Sequence, residues 1–367
     1  MPVGRPKKSD LQEATNQVIQ ETEKTLEKEP EREGDLTRVI STGSTLLDLS
    51  ISGGVLPEGG IPGGIMVEIF GGESTGKTAL LCEICASAQS KGGRGLFLDP
   101  EGRINEIYSQ IYGIDFYSAG WDIRGPEEVG SVEDFFSQIR KWEPGSSRDF
   151  LDVVVVDSLA ALASEEELKA ALSDEEKGMA AARRAGKFSE GLRTTKASLS
   201  KKSRLLVCSN QVRDDLNKRS FGPKDKATGG RAIAFWASLR IRVTPSYPKS
   251  KISVSRTING TKVERVVGIL SDCEVVKSSI DVPYRECQVP IIFNYGIDDV
   301  RGCLSYLKEI RGTNGYELNG RHLGGTIETA IRSVEENQLM KNLRQETINV
   351  WGFVEAEFKI SRKPKER

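Results

Sequence analysis

The chain has 367 residues, of which 37% are apolar and 29% charged, the composition of a globular protein with one large domain or two to three ordinary ones. The formal net charge is only −1, so a nucleic-acid surface must be a local patch. The sequence has no apolar run of membrane-spanning length, no signal-peptide core and a single histidine, which excludes histidine-dependent chemistry and predicts a cytoplasmic protein.

Residues 1–36 are predicted to form an N-terminal arm that carries one helix. The arm begins with a basic run, Gly4–Lys8, for which we expect a solvated tail, with a hook in the DNA minor groove as the alternative. From Ser9 onward, apolar residues recur at helical spacing in a narrow stripe. A helix with so little apolar surface is not stable alone, so it should dock on its own core or on a neighbouring subunit.

The stretch Ile65–Leu81 is predicted to form a strand, a glycine-rich turn and a helix. Within it, Gly71–Thr78 match the P-loop pattern G-x-x-x-x-G-K-[ST] in the required context. Such a turn directs backbone N–H groups at phosphate oxygens, and the start of the helix adds its positive dipole end. Lys77 would reach the β- and γ-phosphates, and the Thr78 hydroxyl would ligate Mg²⁺. The residues predicted to hold the triphosphate are Gly71, Gly72, Glu73, Ser74, Thr75, Gly76, Lys77, Thr78 and Ala79.

Two later strands are predicted to end in carboxylates. Gly95–Glu101 is a short strand followed by acidic residues, and Val153–Val156 is an apolar run closed by Asp157. Four valines without alternation are typical of a parallel strand buried on both faces. Because ligands bind at the carboxyl ends of such strands, both carboxylates should lie near the phosphates. Asp157 is suited to hold Mg²⁺ through water and Glu101 to deprotonate an attacking water, although Glu101 alone could be a solvated loop residue. The pattern favours ATP hydrolysis, with ATP and Mg²⁺ as the cofactors.

Basic residues and amides gather in the second half of the chain. Residues 183–204 carry eight lysines and arginines against one carboxylate, which predicts either a phosphate-binding face or a solvated basic helix. The next predicted strand, Arg204–Gln211, ends in two amides, and an amide there can hydrogen-bond a γ-phosphate. The segment Val212–Arg231 has no regular period, and loops of this length inside a domain are usually functional.

Six motifs occur together in an order that resembles RecA-type homologous recombinases, the family of the bacterial and phage enzymes. The resemblance runs from Arg38 to about residue 350, and the motifs are Ser41–Asp48, Val67–Thr78, Phe97–Gly102, Val153–Leu162, Asn210–Arg213 and Thr228–Val243. It implies an α/β fold, a RecA-like P-loop ATPase core with a mostly parallel central sheet, an N-terminal helical arm and a small C-terminal α/β domain. The implied boundaries are 1–36 for the arm with a polymerisation helix, 37–297 for the core, and 298–367 for the C-terminal domain with its basic tail.

In the C-terminal domain the sequence itself predicts two helices and a hairpin. The helices are Val300–Ile310 and Thr326–Arg344, and the hairpin is Gly315–Gly320.

The resemblance also implies a function. Members of the family form helical filaments on single-stranded DNA with ATP, pair it with homologous duplex DNA and exchange strands, with DNA-stimulated ATP hydrolysis. The implied partners are single- and double-stranded DNA, further copies of this chain, and single-strand-binding and mediator proteins. A hexameric DNA motor on the same core is expected to lack the sequence from Asn210 through Gly230. A regulatory paralogue without strand exchange is disfavoured by the intact Lys77, Glu101 and Gln211.

Nucleotide-site roles follow from the resemblance for several residues. Glu101 is the general base, Asp157 and Ser158 are the Walker B pair, and Gln211 is the γ-phosphate sensor. Two further residues, Asn105 and Tyr108, match positions that contact the adenine edge and stack on adenine.

Roles between subunits and on DNA follow in the same way. Lys277 matches a cation that reaches the ATP of the neighbouring subunit, but Ser279 replaces the second cation that the family usually has. Phe235 matches a subunit-contact aromatic. The first DNA loop maps near Gly178–Arg193 and the second near Val212–Arg231. The preferred DNA contacts are Arg183, Arg184, Arg213, Phe221, Gly229, Gly230 and Arg231.

Overall fold

The computed structural model describes residues 33–143, 150–168, 180–214, 225–227 and 230–359. The compact unit described below begins at Gly34. Most of the N-terminal arm, including its predicted helix, lies outside the described residues, as does the basic tail from residue 360. The boundaries proposed for the three domains therefore stay a prediction. No helix of the described part is long and apolar enough to cross a membrane.

The helices are named in chain order. They are α1 (Thr45–Ser52), α2 (Lys77–Ser90), α3 (Glu106–Tyr112), α4 (Val132–Lys141), α5 (Ala180–Lys202), α6 (Gly230–Trp236), α7 (Asp299–Arg311), α8 (Ile327–Glu336) and α9 (Met340–Glu357).

The strands are named in the same way. They are β1 (Asp35–Ile40), β2 (Ile61–Gly63), β3 (Met66–Gly71), β4 (Gly95–Leu98), β5 (Trp121–Arg124), β6 (Val153–Val156), β7 (Leu205–Asp214), β8 (Asp225–Ala227), β9 (Leu239–Pro245), β10 (Lys251–Ile258), β11 (Thr261–Ser278), β12 (Glu286–Ile292), β13 (Gly296–Ile297), β14 (Tyr316–Leu318) and β15 (Arg321–Gly324).

One large sheet organises the molecule. Its neighbouring strands run in the order β13-β12-β11-β9-β3-β7-β6-β4-β5 within the described residues. From β9 to β5 all pairings are parallel, whereas β11, β12 and β13 extend the sheet in antiparallel fashion. The predicted α/β class with a central parallel sheet is therefore confirmed.

Helices cover both faces of the parallel strands. Val153 and Val155 of β6 pack in the core that contains α2, while Val154 and Val156 pack in the opposite core beside α4 and α5. All four valines are completely buried, as the unalternated run predicts. Covering both faces leaves the carboxyl ends of the strands as the edge where polar side chains can gather.

A third apolar cluster lies in the C-terminal part. It joins α7, α8 and α9 to the hairpin β14–β15, which turns at Asn319 and Gly320 as predicted. The prediction of one continuous helix over Thr326–Arg344 is wrong, because this region contains two helices, α8 and α9, separated by a short turn. Gln338 lies in the left-handed region at φ 54°, a conformation that ends an α-helix.

Candidate nucleotide site

The P-loop lies between β3 and the start of α2, as predicted. Gly76 precedes α2 with φ 90°, and a Cβ there would come within 2.2 Å of the Ile291 side chain. A Cβ on Gly71 would approach the carbonyl oxygen of Val243 to 2.0 Å. The N-cap residue of α2 is Gly76, which has no side chain to accept a hydrogen bond from the first N–H groups of the helix. A phosphate is the kind of group that such an N-terminus binds, and the loop therefore fits a triphosphate.

Lys77 folds back onto the P-loop. Its Nζ donates hydrogen bonds to the carbonyl oxygens of Gly71 at 3.2 Å and Gly72 at 2.5 Å. Burial lowers the pKa of Lys77, and the nearby carboxylates of Asp157 and Glu101 oppose that shift. The ammonium group is thus held at the loop by weak neutral acceptors, which an anionic ligand can replace.

The P-loop threonine meets the predicted Walker B aspartate. The Thr78 hydroxyl donates a hydrogen bond of 2.5 Å to Oδ2 of Asp157, and the Ser209 hydroxyl donates to Oδ1. Asp157 is only 3% exposed, and each of its two carboxylate oxygens accepts a hydrogen bond from one of these hydroxyls. A hydroxyl and a carboxylate are ligands that Mg²⁺ prefers, and this pair fits the predicted metal site.

Glu101 lies between two donors. Ser158, the second residue of the Walker B pair, donates from its hydroxyl to Oε1 of Glu101 at 2.6 Å. The guanidinium group of Arg103 forms an ion pair with the other oxygen, Oε2. Ser158 is buried, whereas the Arg103 side chain is 51% exposed. Both oxygens of the candidate base are therefore occupied, one by a fixed donor and one by a displaceable donor.

Gln211 stands beside the P-loop. In the parallel pairing of β3 with β7, Gln211 is the partner of Gly71. Its neighbour Asn210 donates from Nδ2 to Oε1 of Glu68, a fully buried carboxylate, and Arg240 donates from Nε to Oε2. This largely buried network links β3, β7 and β9. Gln211 therefore follows directly after a firmly held part of β7.

The two residues predicted to contact adenine lie at the start of α3. The side chain of Asn105 accepts a hydrogen bond from the backbone N–H of Ile107, so it caps that helix. Tyr108 is half-buried against the core and stacks on Tyr112, with 6.1 Å between the ring centroids. Burial raises the pKa of Tyr108. The Tyr108 ring can therefore offer an aromatic face to a base, whereas the Asn105 side chain is already hydrogen-bonded to the backbone of α3.

Lys277 contacts its own subunit. Its Nζ donates hydrogen bonds to the carbonyl oxygens of Ala234 at 3.0 Å and Phe235 at 2.9 Å, at the carboxyl end of α6. A cation is stabilised there because the last carbonyls of a helix carry partial negative charge. The Phe235 side chain is 72% exposed, which leaves it open to a subunit contact.

The first predicted DNA loop is largely helical. Residues 180–193 of that segment lie in α5, because alanine and arginine are strong helix formers and because Phe188 and Leu192 anchor the helix in the core. Arg183 is exposed and pairs with Glu166 at 3.7 Å. Arg184 is half-buried and donates to the carbonyl oxygen of Leu162 at 3.3 Å. Of the two, Arg183 is the better placed to reach a polynucleotide.

The second predicted DNA loop also has regular structure at both ends. Strand β7 continues through Arg213 to Asp214 and pairs in antiparallel fashion with β8, and α6 begins with Gly230 and Arg231. The loop prediction is wrong for these residues, because backbone pairing and a helical turn form where the side chains show no period. Phe221 and Gly229 lie outside the described residues.

Sequence reasoning missed two residues that contact the central carboxylates. Ser209 could have been found, because the register of β6 against β7 pairs Val156 with Cys208 and so puts Ser209 beside Asp157. Arg103 follows Glu101 by two residues, but this spacing matches no motif. Only the fold of the turn after β4 reveals its ion pair.

Comparison with known proteins adds a second line of observation. The sequence matches the RecA N-terminal domain family over residues 13–298. It is 33% identical to Protein RecA of Thermus aquaticus over 353 residues, which cover 92% of this chain and 95% of that protein. It is 28% identical to Protein RecA of a Synechocystis strain over 363 residues, 96% of this chain and 94% of that protein. The family match contains all the residues of the site described above.

Proposed function

This chain belongs to the RecA family, and on that premise we propose that it is an ATP-dependent homologous recombinase. It assembles as a helical filament on single-stranded DNA, pairs that strand with a homologous duplex and exchanges strands. The observation that supports this most directly is the pairing of Thr78 with Asp157 and of Ser158 with Glu101 beside the P-loop. These are the groups that hydrolysis of a nucleoside triphosphate requires.

The phosphates are held by the loop and by the start of α2. Lys77 exchanges its two carbonyl partners for phosphate oxygens, since a charge-assisted hydrogen bond is stronger than one to a neutral carbonyl. Thr78 and Asp157 would hold Mg²⁺, with Asp157 acting through water. When bound, that ion would neutralise charge on the β- and γ-phosphates. Ser209 keeps the Asp157 carboxylate oriented toward Thr78.

Glu101 removes the proton from the attacking water. As the water oxygen bonds to the γ-phosphorus, its proton passes to the Glu101 carboxylate and the bond to the bridging oxygen of ADP breaks. Each Glu101 oxygen accepts one donor and keeps a second lone-pair site for this proton, and loss of the Arg103 ion pair makes the carboxylate a stronger base. Arg103 is the displaceable donor, and its guanidinium group can then follow the negative charge to the phosphates. Such a cation supplied within the subunit compensates for Ser279, which stands where the family usually has a second cation.

Coupling to DNA begins at Gln211. Gln211 is paired with Gly71 at the head of the segment 212–231, so a hydrogen bond between its amide and a γ-phosphate would be transmitted to that segment. Lys277 contributes from the opposite end, because it holds the carboxyl end of α6, the helix that closes the same segment. In a filament, Lys277 leaves this helix to reach the ATP of the neighbouring subunit, which links assembly to hydrolysis.

The direct test is whether ATP controls DNA affinity and strand exchange. We expect saturating ATP with Mg²⁺ to raise the affinity for a single-stranded oligonucleotide, measured by fluorescence anisotropy, by about tenfold or more, which corresponds to the lower part of ordinary allosteric coupling energies. We also expect joint products between a circular single strand and a linear duplex only when ATP is present. Equal affinity with and without nucleotide would refute the proposed coupling, and closed rings without filaments in electron micrographs would favour a hexameric motor.

We expect Arg103→Ala to lower kcat for ATP hydrolysis by about ten- to hundredfold, the loss that matches one hydrogen bond to a charged group. The KM for ATP should change little, because Lys77 and the P-loop remain. Arg103→Lys should restore part of the rate, since it keeps a cation that can follow the negative charge to the phosphates.

The matched control for this change is Arg124→Ala. Arg124 also pairs with carboxylates, Asp122 and Glu128, but on β5 away from the P-loop. Wild-type turnover in Arg103→Ala would show that the ion pair with Glu101 is only structural, as would equal losses in the two variants.

A further inference from the structure

A two-stranded ribbon extends from the large sheet. It consists of β10 and the first half of β11, joined by a tight turn at Asn259 and Gly260, both with positive φ. Strand β12 pairs with β11 only from Gly268 onward, so residues 261–267 of β11 have β10 as their strand partner in the described part of the chain. From Ser255 to Lys262 every residue is exposed. The ribbon therefore contributes little to the core, which suggests that its length serves contact with another molecule.

The ribbon carries mostly positive charge. Between residues 249 and 266 the sequence has five cations and one carboxylate, whereas the whole chain has a net charge of −1. The cations are Lys249, Lys251, Arg256, Lys262 and Arg265. None of them forms an ion pair with a carboxylate of the described residues, in contrast to Arg183 on α5.

The register assigns the cations to both faces. Arg256 is opposite Val263 and Arg265 is opposite Val254, so the two arginines share one face as diagonal neighbours. Diagonal side chains of a ribbon lie about 7–8 Å apart, within reach of successive phosphates on one strand. Lys262 lies on the other face with Glu264, which therefore does not neutralise the arginines.

Hydroxyl side chains lie on both faces. Ser253, Ser255 and Thr257 are on the face of Lys262, and Thr261 is on the face of the arginines. Cations and hydroxyls are the side chains that most often bind phosphate oxygens. The ribbon offers no pattern of base-reading amides, which suits binding without sequence preference.

We propose that the outer half of the β10–β11 ribbon binds duplex DNA, as a surface separate from the segments 178–193 and 212–231. The major groove of B-DNA admits a two-stranded β-ribbon and has a phosphate backbone along each of its two walls. A single strand has only one backbone and would meet the cations on one side of the ribbon only. Beyond the base of the ribbon, Asp272 and Glu286 repel a polyanion, which confines the contact to the outer half.

The test compares two double variants of the full-length chain. Arg256→Gln with Arg265→Gln removes the arginine face, and Arg140→Gln with Lys141→Gln removes two exposed cations of α4 as the matched control. The affinity for a fluorescent duplex of about three helical turns is measured between 50 and 200 mM salt, conditions over which phosphate contacts change affinity by orders of magnitude. For the ribbon variant we expect roughly tenfold weaker duplex binding and a salt slope smaller by about 2, since two phosphate contacts are lost.

The readouts separate this proposal from the recombinase proposal on which its choice of ligand rests. ATP hydrolysis stimulated by single-stranded DNA should stay at the wild-type level in both variants, because the ribbon is not part of the nucleotide site. Arg256→Lys with Arg265→Lys should restore the salt slope. Unchanged duplex affinity, equal loss of single-strand and duplex binding, or a defect in filament assembly without DNA would each overturn the proposal. The last result would instead assign the ribbon to a contact with another copy of the chain.

Discussion

Lys77→Ala is expected to abolish ATP hydrolysis and nucleotide-dependent filament assembly. The Lys77 ammonium group is the cation at the P-loop itself, where it donates to the carbonyl oxygens of Gly71 and Gly72. Loss of one such donor from a preorganised site typically lowers turnover by about 10²–10³-fold, and here the charge that attracts the triphosphate is lost as well. Phosphate release in the presence of single-stranded DNA and electron microscopy of filaments are the two measurements.

The control for this change lies just past the far end of the same helix. Lys91 follows the last residue of α2, is exposed and donates to a backbone carbonyl oxygen, that of Val39, so Lys91→Ala removes an equivalent hydrogen bond far from the P-loop. It should leave turnover and filaments unchanged. Hydrolysis near the wild-type rate in Lys77→Ala would mean that the glycine turn is not a phosphate site, whatever its sequence pattern.

Local patterns predicted the parts of the site that local physics determines. The P-loop is a single stretch of chain in which the glycine positions, the lysine and the strand and helix on either side are all contiguous. The four valines of β6 likewise show burial on both faces through their own composition, and the structure confirms it. That fact places Asp157 at the carboxyl end of a central strand and explains why Thr78 lies within hydrogen-bond distance of it.

Contacts between distant segments could not be predicted in this way. The hydrogen bonds of Lys277 to α6 depend on how β11 packs against that helix, which no periodicity reveals. The loop expected over residues 180–193 came from the family resemblance, whereas the basic charges alone also allowed a helix, and Phe188 and Leu192 carried the signal for a docked one. The family motif after β4 ends at Gly102, so the resemblance gives Glu101 a role and gives none to Arg103.

The change Glu101→Gln is expected to separate hydrolysis from binding. The amide keeps the shape of the side chain and its oxygen can still accept the hydrogen bond from Ser158, but it cannot take a proton from water. Removal of a general base usually lowers the rate by about 10²–10⁴-fold. ATP affinity and ATP-dependent filaments should persist, because Lys77, Thr78 and Asp157 are unchanged, so the variant should accumulate long filaments that turn over slowly.

The comparison variant is Glu128→Gln. Glu128 also pairs with an arginine, Arg124 at 3.5 Å, but it is exposed and lies away from the P-loop. The Glu128→Gln variant should therefore hydrolyse ATP at the wild-type rate. If Glu101→Gln hydrolyses ATP normally, the water is activated by another group and the ion pair with Arg103 has no part in catalysis. If instead Glu101→Gln loses ATP binding together with turnover, Glu101 helps to build the site and the assignment of a base must be given up. Only slow turnover in intact filaments agrees with a carboxylate that is held by a buried serine and released by an exposed arginine.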